Sequence, residues 1–100
     1  MTTDPLFHMI VEDVFSIRNR GTVVTGKIDT GTLKVGDQVM IRGSNGEKRT
    51  TVAGIEAFRK TLDQAHPGTA VGILLKDISR EDVQRRYELL SAASDFTWMP

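Results

Sequence analysis

Val11-Glu-Asp-Val-Phe-Ser-Ile-Arg-Asn-Arg-Gly-Thr-Val-Val-Thr-Gly-Lys-Ile28 is the stretch from which the fold can be read. Apolar and β-branched residues flank the polar break Arg18-Asn19-Arg20-Gly21, where Asn and Gly tolerate positive φ, so the stretch reads as a β-hairpin. Period-2 spacing puts Phe15 and Ile17 on one face of its first strand and Val14, Ser16 and Arg18 on the other. On the return strand Val24, Gly26 and Ile28 alternate with Val23, Thr25 and Lys27. Gly26 within a strand signals a bulge or a close approach of another backbone or a ligand. A lone hairpin is marginal in water, so the rest of the chain must supply strands that enclose a core.

Outward from the hairpin, residues 6 to 11 are apolar apart from His8 and read as an opening strand at a sheet edge. Residues 29 to 37 carry turn residues at both ends and form a compact connection, with Leu33 and Val35 expected to plug the core. Residues 38 to 42 make a third main strand. Gly43-Ser44-Asn45-Gly46 is a turn into a fourth, residues 48 to 58, with Val52, Gly54, Glu56 and Phe58 on one face. Residues 60 to 69 are largely polar, contain Pro67-Gly68 and read as a loop, and residues 71 to 76 form a short buried strand. Ser79-Arg80-Glu81-Asp82 has a helix-capping pattern, and Val83, Tyr87 and Leu90 fall at helical spacing. A closing strand over residues 87 to 90 fits equally. Phe96, Trp98 and Met99 form an apolar tail expected to pack on the domain or fray. Regular short strands with Gly-rich turns predict an all-β fold, a small closed β-barrel over residues 1 to 90 with an irregular or helical tail over residues 91 to 100.

The 100-residue chain suits one domain. Thirteen Lys and Arg balance thirteen Asp and Glu, so no strong long-range pull on nucleic acid is expected, and any RNA contact must come from a local patch. With no cysteine, disulfides, thiolate metal ligands and thiol catalysis are excluded. The first residues lack a basic region followed by an apolar run, and no segment reaches the roughly 20 apolar residues of a membrane helix. A soluble, cytoplasmic protein without membrane contact is the expectation.

Gly21-Thr-Val-Val-Thr-Gly26-Lys27-Ile28 nearly spells a phosphate-binding loop, but Ile28 stands where a hydroxyl must reach magnesium and Val23, Val24 and Thr25 favour extended chain. His8 and His66 are too few for a histidine metal cluster, and no serine sits in a nucleophile elbow. Neither an enzyme nor a metal or cofactor site is expected. Glu56 beside Gly54, with Arg59 three residues on, could frame a flat ligand such as a base, or form an ordinary surface ion pair. Arg18, Arg20 and Lys27 suggest either a solvated face or phosphate contacts.

Val-Glu-Asp-Val-Phe-Ser-Ile17 followed by Arg20-Gly-Thr-Val-Val-Thr-Gly-Lys27 strongly resembles the second domain of elongation factor Tu. Gly31-Thr-Leu-Lys-Val-Gly-Asp37, Gly54-Ile-Glu-Ala-Phe-Arg-Lys60, Val71-Gly-Ile-Leu-Leu75 and Arg80-Glu-Asp-Val83 follow in the family's order and spacing. The resemblance covers about residues 6 to 85 and implies a Greek-key barrel. It further implies contact with the aminoacylated 3′ end of transfer RNA and with the ribosome, GTP hydrolysis belonging to a separate first domain. Carried over residue by residue, the pocket for the terminal adenosine falls on Ile17, Val23, Gly54, Glu56, Arg59 and Leu74, and the aminoacyl side on Glu12, Asp13, Phe15 and Thr25. Ala70 stands where many members have an Asn, Asn19 replaces a common turn Gly, and Arg86 replaces a Gly. Residues 87 to 100 do not resemble the family's route into a third domain, which implies a chain that ends by its own design. Two expectations follow: a non-catalytic barrel binding an RNA acceptor end or the ribosome, or a structural module that meets a protein partner through its C-terminal tail.

Overall fold

The computed structural model describes residues 6 to 92. Its strands are β1 (His8–Ile10), β2 (Asp13–Ile17), β3 (Gly21–Thr30), β4 (Leu33–Lys34), β5 (Gln38–Gly43), β6 (Gly46–Ala57), β7 (Lys60–Leu62), β8 (Gln64–Ala65), β9 (Ala70–Leu75) and β10 (Glu88–Ser91). Six of them close a ring in the order β1, β10, β5, β6, β9, β3 and back to β1, every neighbouring pair antiparallel. Along β5, β6 and β9 the chain steps between neighbours, and β10 then returns to lie beside β5, which is the Greek-key order. β2 adds to the outside of β3 and β7 to β6, while β4 and β8 pair separately.

Period-2 alternation fills the interior. Met9, Val24, Ile28, Val39, Ile41, Val52, Ile55, Ile73, Leu75 and Leu89 are essentially fully buried, one or two from each ring strand. Gly26 serves close approach rather than a bulge: a Cβ there would lie 2.5 Å from the Ile10 carbonyl oxygen and 3.1 Å from Met9. The same logic holds at Gly43, where a Cβ would come within 2.4 Å of the buried Tyr87 ring. Tyr87 is anchored there by its hydroxyl, 2.9 Å from Ser44 Oγ. The buried Thr22 hydroxyl donates to the Ile78 carbonyl at 2.6 Å, tying the crossover from β9 to the wall.

The folded chain departs from the sequence reading in five places. β1 is not an edge, because it pairs with both β10 and β3. Val35 is exposed and only Leu33 plugs the core, because β4 ends at Lys34 and the chain turns at Val35-Gly36 before alternation can bring Val35 back to the inner face. β6 does not keep a single phase: its register against β9 shifts between Val52 and Gly54, so Ala53 is an extra residue. Val52 therefore faces the core, while Gly54 and Glu56 lie on the other side of the wall. Residues 60 to 69 are not all loop, since they hold β7 and β8.

The fifth is the end of the chain, where the Ser79 cap starts only one short turn, Val83 is extended and Leu90 belongs to a strand, so the strand reading holds and the helical spacing does not. A single 3₁₀ turn spans Arg80–Asp82, after which the chain extends into β10. Asp82 closes the turn by accepting from the Ser79 N–H at 2.9 Å and from Lys48 at 3.1 Å. The backbone bond from Ser79, followed by Lys48, holds its carboxyl below the usual value of 3.8. Phe96, Trp98 and Met99 lie outside the described residues.

Candidate functional site

β2, β3, β9, β6 and β7 stand side by side in one half of the wall, and their outward residues line up across the strands. Phe15, Val23, Leu74 and Gly54 form one row. Asp13, Thr25, Gly72, Glu56 and Thr61 form the next. A Cβ on Gly54 would sit 3.7 Å from Leu74, and one on Gly72 3.5 Å from Val23, both ordinary contacts. Backbone packing therefore does not demand glycine at either position. What the two glycines provide is room.

A cavity of about 200 Å³ opens there. Ile17, Val23, Ala53 and Leu74 give it apolar walls, and Arg20, Glu56 and Thr61 give it polar groups. Its volume is below the ~300–1,000 Å³ of sites for drug-sized ligands, so it suits one ring system. Aliphatic side chains can pack on the faces of such a ring, a carboxylate can accept from a hydroxyl or amine, and a guanidinium can pair with an anionic group.

Of the six residues expected in the adenosine pocket, Ile17, Val23, Gly54, Glu56 and Leu74 line this cavity. Arg59 does not. Ala57 pairs with Lys60, so Phe58 and Arg59 are the two residues of a tight turn, with φ of 51° and 66°. Positive φ at both positions is the type I′ pattern, usual for Asn-Gly and strained for bulkier residues. Phe58 is 84% exposed at this tip. Glu56 and Arg59 form no ion pair among the described residues.

The four aminoacyl-side residues are divided. Asp13 and Phe15 line a second, wider cavity of about 410 Å³ together with Val14, Arg80, Val83, Gln84 and Arg85. There Asp13 Oδ1 accepts from the Arg85 Nε at 2.9 Å and from a terminal nitrogen at 2.8 Å. Thr25 shares a row with Asp13, and the Glu12 N–H donates to its carbonyl at 2.7 Å, yet neither residue lines either of these two cavities. Sequence reasoning missed Thr61 because β7 looked like loop. It missed Gly72 although Gly72 lies two residues from Leu74 on the same face. Arg20 stood out only as part of a basic cluster, which the fold breaks up: Arg20 is at the cavity and Lys27 near the far end of β3. Arg80, Gln84 and Arg85 reach β2 only through the crossover, a juxtaposition with no local signal.

Together these features define a β-barrel with a ring-sized depression on its outer wall. Residues 21 to 85 match the family described as Elongation factor Tu domain 2, and the chain belongs to that family. The near-match to a phosphate-binding loop lies inside this span, and the structure resolves it: Gly21–Thr30 is a strand bonded to β2 on one side and β9 on the other. Its backbone N–H groups serve the sheet. Among the described residues no helix is long and apolar enough to cross a membrane.

Proposed function

We infer that this barrel binds the 3′ acceptor end of a transfer RNA, aminoacylated or not, in a cytoplasmic translation setting. The observation that supports the reading is the convergence of Ile17, Val23, Gly54, Glu56 and Leu74, from four strands, on one cavity with room for a single base. The terminal adenine packs on the Val23 and Leu74 side chains, and Glu56 accepts from a ribose hydroxyl. Arg20, with Arg59 on the neighbouring turn, meets phosphate. Glu12, Asp13, Phe15 and Thr25 border the path of an aminoacyl group. The second cavity's Arg80 and Arg85 extend the cationic surface along β2. Nothing in this scheme turns over substrate; the role is to hold.

Base stacking contributes about 1–3 kcal/mol. With a formal charge of zero, the domain adds little long-range attraction. Binding is therefore expected to be weaker than micromolar. NMR titration of labelled protein with a short acceptor-stem RNA ending in CCA, and with the same RNA lacking its terminal adenosine, tests the reading. Shifts at Val23, Glu56 and Leu74 that vanish with the shortened RNA support it. No shifts at millimolar RNA would sink it and turn attention to protein partners.

A further inference from the structure

β1 closes the barrel, and one of its side chains touches both neighbouring strands. His8 Nδ1 lies 3.0 Å from Asp29 Oδ2 on β3, and Nε2 lies 3.1 Å from Glu88 Oε2 on β10. The other Glu88 oxygen accepts from Arg42 of β5, at 2.9 Å from Nε and 2.8 Å from a terminal nitrogen. Asp29, Glu88 and Arg42 are thus the charged groups that β3, β10 and β5 bring to this imidazole. None of the four residues lines either cavity.

An ionised carboxylate only accepts, and a neutral imidazole has one N–H and one bare nitrogen. Donation to Asp29 and Glu88 together therefore requires the imidazolium. We propose that His8 is a proton-operated latch on the barrel seam, bonding β1 to both β3 and β10 when protonated and to only one of them when neutral. In the neutral state the second carboxylate faces a nitrogen lone pair across about the same gap, which repels. Glu88 keeps a partner in either state. Arg42 first, and His8 second, hold its carboxyl below the usual value of 4.5, so it stays ionised where imidazoles ordinarily titrate. Asp29 has no second partner among the described residues, so the contact given up is the one to β3. The effect reaches β3 beyond Asp29, because Met9 and Ile10 pack directly against Gly26, next to Thr25.

Amide hydrogen exchange of the full chain, followed by NMR at about pH 5.5 and about pH 8 and corrected for intrinsic rates, brackets the ordinary imidazole value of ~6.5. Protection of the β1 amides is expected to be about two- to fivefold greater in acid, the range for a partly exposed ion pair. The difference should disappear in His8→Gln, which cannot titrate, and shrink in Asp29→Asn. Ring ¹⁵N resonances of the unaltered protein give a second reading that needs no variant. Titration of His8 with unchanged β1 protection, or an equal acid effect in His8→Gln, would overturn the latch.

Discussion

Filling the floor of the outer cavity should move stability and binding in opposite directions. Gly72 is half-buried in the interior of β9 with unstrained φ, and a Cβ added to it meets Val23 Cγ1 at 3.5 Å and Thr25 Cγ2 at 4.0 Å. Both distances are ordinary, so Gly72→Ala needs no rearrangement. It also removes the entropic cost of a strand-interior glycine, about 0.5–1 kcal/mol. For a domain of this size that is a rise in Tm of roughly 2–8 °C. Gly72→Val suits a strand still better and stands two methyl groups over a cavity of only about 200 Å³. Excluding the base removes the stacking contribution of about 1–3 kcal/mol, or roughly 5- to 150-fold in Kd. Calorimetric melting and the CCA-ended RNA titration report the two quantities separately. Undiminished RNA binding by a folded Gly72→Val protein would refute the cavity as the site, and a fall in Tm for Gly72→Ala would refute the packing argument.

Gly43→Ala should cost about 1–3 kcal/mol in urea unfolding, because its Cβ would come within 2.4 Å of the buried Tyr87 ring, and an unchanged midpoint would contradict that contact. Replacing Phe58 and Arg59 together by Asn-Gly should raise the unfolding midpoint, each strained non-Gly residue costing about 1–3 kcal/mol, while RNA binding weakens through loss of Arg59. Glu88 and Asp82 both have folded-state values depressed below their ordinary 4.5 and 3.8, so their contributions are complete above those values and disappear as pH falls through the lower folded ones. Urea midpoints measured down this acid range should fall less steeply in Arg42→Met, which removes the chief cause at Glu88; an unchanged slope would argue against the pair.

The β2–β3 hairpin was legible because alternation over two strands fixes both register and face. Its readings of Phe15 with Ile17 and of Val23 with Thr25 carry directly into the cross-strand rows. Asn19, with φ of 65°, occupies the turn as residue type suggested. The phase of β6 was not legible, since one extra residue at Ala53 leaves the composition of the strand unaltered and shows only in the pairing with β9. β7 was hidden for a different reason: a two-residue turn normally announces itself as Asn-Gly, and Phe58-Arg59 holds that geometry against its own preference. Arg59 is a pocket residue by the family resemblance alone, and the turn holds it between the lining residues Glu56 and Thr61 without bringing it into the cavity. β1 looked like an edge because one of its partners lies at the other end of the chain. Pairings of that range leave no local periodicity to read.

That distant pairing also has a kinetic side. β1 reaches β3 within about twenty residues, but its other edge is satisfied only by β10, with His8 opposite Leu90 and Met9 opposite Leu89. Closing a loop of that length is entropically costly before any contact repays it, and folds dominated by such pairings are slow. As the chain leaves the ribosome, the β2–β3 and β5–β6 hairpins can form at once, while β1 must wait with one edge open until Glu88, Leu89 and Leu90 emerge. An exposed strand edge is a template for pairing with other chains. The interval before β10 arrives is therefore when this barrel is most open to misassembly, although the finished ring leaves β1 no free edge.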